Sequence, residues 1–194
     1  WVLIKYTGTE EVIDFKDIKY NDKAVTNIVI KRNAFSYLNN VKKVIFGDEV
    51  ARVEAFAFEY CYGLEYVSFK DCPNITFIYE YSFRGCDSLN TVIISEYITY
   101  INYDAFYDCR NMYNVCNLSS MNITKGSTDF GCIGQFAKNI CYSVNDIVEI
   151  QRVINNNITY IFRKIDGNWE IYGADFNVNY TDTLIWGMFT LAPA

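Results

Sequence analysis

The sequence predicts an α/β repeat solenoid, a short array with parallel strand ladders, followed by a small antiparallel β meander. Three observations predict it. A phenylalanine recurs at Phe35, Phe58, Phe83 and Phe106, at spacings of 23, 25 and 23 residues. Each ring sits in the same pattern of small and branched apolar residues. From about residue 143 that pattern gives way to alternating runs divided by turn residues. A period of this length marks stacked supersecondary units, because one unit cannot bury its own apolar side.

Five positions before each ring stands an aliphatic residue: Ile30, Val53, Ile78 or Ile101. A small residue directly precedes the ring (Ala34, Ala57, Ser82, Ala105). Six positions after it come Val41, Leu64, Leu89 or Met112, and three further on Val44, Val67, Val92 or Val115. Alternation over 50–53, 75–78 and 98–101 suits one short strand per unit. The runs Val44-Ile45-Phe46, Val67-Ser68-Phe69 and Val92-Ile93-Ile94 suit a second. Between them, a stretch such as Ala57-Phe58-Glu59-Tyr60-Cys61 is too short for a free-standing helix and suits one helical or 3₁₀ turn. Stacking then places the strands in two parallel ladders with the rings between.

These residues resemble the BspA-type leucine-rich repeat, whose unit carries an Ala-Phe pair, a Cys three residues later and a Leu-x-x-Val. Here that is Ala57-Phe58 with Cys61, Leu64 and Val67, then Ser82-Phe83 with Cys86, Leu89 and Val92. Ala105-Phe106 with Cys109, Met112 and Val115 follows, and the first copy has Leu38 in place of the Cys, as a capping unit would. Residues 12–117 carry the match, and the stretch after it, including Met121 to Gly126 and Gly134 to Ile140, resembles the segment that closes such arrays. The resemblance implies a right-handed solenoid on a secreted or cell-surface protein that sticks to other cells, matrix proteins or surfaces.

The expected organisation is a leucine-rich-repeat solenoid over 1–117, a closing segment with a short helix over 118–142, and a β meander over 143–194. In the meander, 147–154, 158–165 and 169–173 read as strands joined by an Asn155-Asn156-Asn157 turn and an Asp166-Gly167 hairpin turn. The opening Trp1-Val2-Leu3-Ile4-Lys5-Tyr6-Thr7-Gly8 is similar to Trp169-Glu170-Ile171-Tyr172-Gly173. We therefore expect a hairpin to introduce the array and the last residues to lead into a further one. The chain opens at Trp1 with no basic or apolar leader, so a secretion signal is expected outside it.

Composition narrows the function. Apolar residues make up 51%, which argues against disorder, and aromatic residues 18%, including 17 Tyr. The formal net charge is −6 and no basic stripe occurs, so nucleic acid is not an expected partner. No apolar stretch is long enough to span a bilayer. There is no histidine, which removes the usual general base and the commonest metal ligand. Carboxylates are scattered through the repeats, and Asp14, Asp17 and Asp22 lack the spacing and central Gly of a calcium loop. Neither a metal nor a cofactor is expected, and no catalytic residue stands out. A carboxylate-based carbohydrate hydrolase is the enzyme reading that remains, and any pairing of two carboxylates from sequence is arbitrary.

Three of the seven cysteines, Cys61, Cys86 and Cys109, share one phase and read as buried small hydrophobes. Cys72, Cys116, Cys132 and Cys141 fall outside it, and Cys132 with Cys141 is a possible pair. Five Asn-x-Ser/Thr sequons occur, at Asn74, Asn117, Asn122, Asn157 and Asn179.

Side chains alternate across a strand. The columns Lys43, Tyr66, Thr91, Asn114 and Ile45, Ser68, Ile93, Cys116 should therefore point outward on one ladder. On the other, Arg52, Phe77 and Tyr100 should stack and point out. Tyr66, Phe77, Tyr100, Arg52 and Lys43 are thus the candidate partner-binding residues, with Phe35, Phe58, Phe83 and Phe106 as core. The expected function is non-catalytic binding of a protein or surface ligand; the alternative is a structural spacer in a longer surface protein.

Overall fold

β-branched residues at the end of each repeat pair with their counterparts in the next, and the result is one parallel ladder. Val12–Asp14, Lys43–Ile45, Tyr66–Ser68, Thr91–Ile94, Asn114–Asn117 and Asn139–Cys141 lie side by side in chain order. Val44, Val67, Val92, Val115 and Ile140 stand directly opposite one another along it. The other strand piece of the repeat also pairs in parallel. Val2–Leu3, Ile28–Ile30 and Val50–Val53 form one short ladder, and Phe77–Ile78 with Tyr100–Ile101 another. The computed structural model describes residues 1–155 and 158–176. The chain divides into one unit, Trp1–Ile147, and a second, Val148–Ala194.

The turns carrying the rings are tied together as well. Phe35 N–H donates to Ala57 O at 2.8 Å, Phe58 to Ser82 at 2.8 Å, Phe83 to Ala105 at 2.9 Å and Phe106 to Gly131 at 2.8 Å. The small residue before each ring is what lets the next turn come this close. All the repeat positions read from the sequence as core are buried, from Ile30, Val53, Ile78 and Ile101 to Val44, Val67, Val92 and Val115.

Inside, the rings stack face to face. Phe35–Phe58, Phe58–Phe83 and Phe83–Phe106 have centroids 4.5, 5.2 and 5.2 Å apart and planes within 13°. A second column, Phe15–Phe46–Phe69, meets the first edge-on: Phe46 against Phe58 and Phe69 against Phe83, both at 5.9 Å. Stacked and edge-to-face pairs each contribute about 0.5–1.5 kcal/mol beyond area burial. The interlocked columns hold the turns in register.

The solenoid has more turns than the four phenylalanines announce. Tyr6 stacks on Phe35 at 4.9 Å and serves as the knob of an earlier turn, its hydroxyl bonded to Glu10. After Phe106, Gly131 takes the place of the small residue, and Ile133 is the buried apolar residue of that turn in the core.

Two expectations are corrected. The helical part of an α/β fold is missing: the one helix among the described residues is the 3₁₀ turn Val144–Asp146, and 118–142 contains none. The reason is local. Each knob turn carries two left-handed residues four apart, such as Phe56 (φ 62°) with Tyr60 (55°) and Tyr81 (57°) with Gly85 (66°). The chain closes i→i+3 bonds, Ala57 N–H to Glu54 O and Cys61 N–H to Phe58 O, and turns away before an α-helix can propagate. The fold is a β-solenoid of about six turns. Secondly, the hairpin expected at Trp1–Gly8 is a parallel strand, Val2–Leu3, of the first turn. A hairpin occurs instead at Lys19–Tyr20 and Lys23–Ala24, across Asn21-Asp22, both left-handed as a tight hairpin turn requires.

The second unit contains the antiparallel meander Ile150–Asn155, Ile158–Ile165 and Asn168–Phe176. Asp166 and Gly167 turn its second hairpin with φ of 50° and 83°, the pair of positive values that Asp-Gly tolerates. The middle of the Asn155-Asn156-Asn157 turn, the sequons at Asn157 and Asn179 and the expected lead-in to a further array lie outside the described residues.

Candidate binding surface

On the long ladder, the residues expected to point outward divide into two groups. Lys43 and Tyr66 are half-buried, and the Lys43 ammonium lies 4.6 Å from the centre of the Tyr66 ring. Burial pushes the Tyr66 phenol up from its ordinary pKa. Thr91, Asn114, Ser68, Ile93 and Cys116, by contrast, are buried. The cause is the chain just after the last rung, which folds back over this face: Val144 and Ile147 pack on Ile93, Cys116 and Cys141. A line of polar bonds runs beneath it. Asn139 Nδ2 donates to Asp146 O at 3.1 Å and to Asn114 Oδ1 at 3.0 Å, and Asn114 Nδ2 to Thr91 Oγ1 at 3.2 Å. The buried Asn114 amide is satisfied, as burial demands.

The shorter ladder keeps its aromatics outside. Phe77 and Tyr100 stack at 5.0 Å with planes 24° apart, and Tyr79 meets Phe77 edge-on at 4.6 Å. Tyr100 is 51% exposed. Arg52 is exposed too, its guanidinium turned to Glu54 at 3.3 Å.

A larger aromatic surface lies on the edge formed by the knob turns, and the sequence reading missed it. Tyr37 and Tyr60 stand 5.3 Å apart, Tyr60 and Tyr62 5.8 Å, Phe56 and Tyr81 4.9 Å, and Tyr81 and Tyr103 5.4 Å. The Arg84 guanidinium lies 5.6, 5.2 and 5.9 Å from the rings of Tyr60, Tyr81 and Tyr107, joining these groups, and Arg32 lies 3.8 Å over Phe56. The signal was available: Tyr37 and Tyr60 each follow their phenylalanine by two, and Phe56 and Tyr81 each precede theirs by two.

The phased cysteines have a defined job. Cys61, Cys86 and Cys109 each donate to the carbonyl of the phenylalanine one turn back (Phe35, Phe58, Phe83) at 3.1, 3.2 and 3.2 Å. A small apolar donor fits there and few other side chains would. All seven cysteines are free and buried, so the possible Cys132–Cys141 pair is not made. Burial pushes the Cys72 thiol up to about 11, Cys116 to about 12 and Cys132 to about 11, and Cys86 and Cys109 well above the usual range. Thiols held neutral in this way are poor nucleophiles and poor metal ligands. Among the sequons, Asn117 is buried, its amide bonded to Met121 O at 2.7 Å, whereas Asn74 and Asn122 are exposed.

A cleft of about 580 Å³ lies on the opposite edge, lined by residues that include Asp17, Asp48, Glu49, Asp71 and Glu96 with Lys16 and Lys70. Lys16 Nζ is 2.5 Å from Asp71 and holds that carboxyl below its ordinary range. Glu49 accepts from Asp17 N–H at 2.7 Å. A general acid needs a raised pKa, and the ion pair drives Asp71 the other way. Among the described residues, no three Cys, Asp or Glu side chains converge as a metal site, and no helix is long and apolar enough to cross a membrane.

Taken together, stacked parallel rungs and an internal phenylalanine column define a parallel β-solenoid repeat. The BspA type leucine rich repeat region matches residues 11–132 in six copies, and the chain belongs to that family. Among solved structures it is similar to a leucine rich cell surface protein from Faecalibacterium prausnitzii A2-165, at 26% identity and a TM-score of 0.56. The likeness covers 74% of this chain and 36% of that one, so the chain spans about a third of its relative's length. No curated protein matches.

Proposed function

We propose that this chain is a non-catalytic binding module of a secreted or cell-surface protein, holding a protein or surface ligand through the exposed faces of its repeats. The observation that carries the reading is the Phe77–Tyr100 stack. Two large rings are spent on the outside of a rigid ladder, with Tyr100 half in solvent. Exposed tyrosine on a preorganised frame is a common interface anchor, since it buries much area at little entropic cost. Repetition over several rungs lets weak contacts add as avidity. Family membership and a relative described as a cell surface protein support the surface location.

The test is capture of ligands from cell-surface and matrix preparations by the intact chain, compared with a combined Tyr66→Ala, Phe77→Ala, Tyr100→Ala variant of unchanged fold. Loss of capture in the variant supports the reading. Capture that survives in the variant overturns the choice of face. A spacer role would instead tolerate replacement of the array, in its parent protein, by unrelated repeats of equal length.

A further inference from the structure

On the outer face of the long ladder one column runs Ile45, Ser68, Ile93, Cys116 and Cys141, each directly opposite the next. Isoleucine fills this column at two of the rungs, so packing alone does not call for a thiol at the last two. The phased cysteines inside the solenoid, Cys61, Cys86 and Cys109, each serve a carbonyl of the turn before. Cys116 and Cys141 stand side by side instead. Burial, and then the adjacent Cys141 thiol, push Cys116 up to about 12, so the two sulfurs are near enough to feel one another.

We propose that Cys116 and Cys141 form a redox-sensitive clasp, which a low-molecular-weight disulfide oxidises to an intramolecular disulfide that ties the last two rungs together. Partners in a parallel ladder lie about 4.8 Å apart, inside the range of about 4.4–6.8 Å between the Cα atoms of a disulfide. The Cβ atoms of a disulfide lie about 3.8 Å apart, so the strands must draw together by about an ångström at this rung. Asn139–Cys141 is the edge strand of the ladder, paired on one side only, and makes that shift without disturbing a further rung.

The reaction balances as two thiol–disulfide exchanges. Cys141 is the first nucleophile: it lies on the edge strand and is 5% exposed, whereas Cys116 is fully buried. Its thiolate attacks one sulfur of the reagent, R–S–S–R. The reagent's S–S bond breaks, and one RS⁻ leaves to take up the proton that Cys141 gave. Cys116 then attacks the Cys141 sulfur of the mixed disulfide and displaces the second RS⁻, which takes up the Cys116 proton. Two electrons pass from the pair to the reagent, which ends as two R–SH.

In the closed structure burial holds both thiols neutral, and such thiols are poor nucleophiles. Their cover is thin, however. Val144 and Ile147 pack over them from a segment whose 3₁₀ turn has no buried residue. It is tied down by the bond from Asn139 Nδ2 to Asp146 O at 3.1 Å. Lifting this segment uncovers Cys141, so the pair reacts through a locally open state.

The test treats the full chain, under native conditions, with oxidised glutathione. Remaining thiols are then blocked with iodoacetamide in denaturant, and the cysteines are mapped by peptide mass spectrometry. A disulfide between Cys116 and Cys141, reversed by excess dithiothreitol, is expected while Cys61, Cys86 and Cys109 stay reduced. Cys116→Ala is expected to stop at a mixed disulfide of Cys141 with glutathione, and Cys141→Ala to leave Cys116 unmodified. A Val144→Ser, Ile147→Ser variant is expected to oxidise about threefold or more faster than the parent. The bond closes a loop of about 25 residues and is expected to raise the parent's thermal midpoint by about 4 °C or more. No disulfide in the parent, or one that joins Cys132 to Cys141 or any other pair, would overturn the proposal. So would a mixed disulfide on Cys116 in the Cys141→Ala variant, a Ser variant that oxidises no faster than the parent, or a midpoint that does not rise. Should a variant fail to fold, the parent's mapped disulfide and midpoint decide.

Discussion

Replacing Phe83 tests the packing on which every outer surface depends. Its ring is fully buried, stacks on Phe58 and Phe106 at 5.2 Å each, and receives the edge of Phe69 at 5.9 Å. Truncation to Ala removes a buried ring, which costs about 3–5 kcal/mol. Substitution by Leu keeps most of the apolar volume and loses the three ring pairs, worth about 0.5–1.5 kcal/mol each, so about 2–4 kcal/mol is expected. Phe106 supplies an internal control. It has Phe83 on one side, and no other ring among the described residues stacks on it. Phe106→Leu should therefore cost less than Phe83→Leu by about two pairs, roughly 1–3 kcal/mol. Urea unfolding followed by tyrosine fluorescence measures both, and with a slope near 2 kcal/mol/M the Phe83→Leu midpoint should fall by about 1–2 M. Equal midpoints for the two Leu variants, or a Phe83→Leu midpoint no lower than that of the surface variant Tyr100→Ala, would refute the column as a source of stability.

Further outcomes follow from the thiols, one glycine and the sequons. The folded-state pKa values of Cys72, Cys116 and Cys132 are raised to about 11, 12 and 11, above the unfolded value near 8.5. Between these limits the folded state holds more protons, so stability is full below about pH 8.5 and falls as pH rises toward 11–12. Thermal midpoints measured from pH 7 to 10.5 should show that alkaline decline, and a Cys72→Ala, Cys116→Ala, Cys132→Ala variant should show less of it. Gly85→Ala should destabilise by about 1–3 kcal/mol. The added Cβ would meet the Tyr60 ring at 2.3 Å on a residue with φ of 66°, and a melting curve like the parent's would contradict this. Expressed in a glycosylating host, the exposed Asn122 should carry glycan and the buried Asn117 should not. Peptide mass spectrometry distinguishes the two.

How far the sequence could be read follows from what each residue answers to. The phenylalanine column was legible because its period is set by the rung, and Ala34, Ala57, Ser82 and Ala105 mark the same contact. The outer turns were not, because Tyr6 does the work of a phenylalanine without looking like one and no aromatic residue directly follows Gly131. The covered face of the long ladder was hidden for a different reason. Alternation shows which way Ile93 and Cys116 point, and it cannot show that Val144 and Ile147 fold back onto them. The expected helical component failed on residues that propensity treats as ordinary. Phe56, Tyr60 and Tyr81 take the left-handed conformation, which aromatic residues seldom do, and each ends a turn that would otherwise continue. Among the candidate contacts, Phe77 and Tyr100 could be placed from alternation alone, whereas the knob-turn edge needed the coordinates that bring Arg84 among three tyrosines.

The most direct test of the account is native-state hydrogen exchange at the amides of Phe58, Phe83 and Phe106. Each donates across to the next turn, to Ser82, Ala105 and Gly131. If the rungs form one cooperative stack, the three amides exchange together in the slowest class, with the free energy of global unfolding. Exchange of the Phe83 amide as fast as that of exposed Tyr142 would show that the turns do not hold one another, and the surfaces built on them would fall with it.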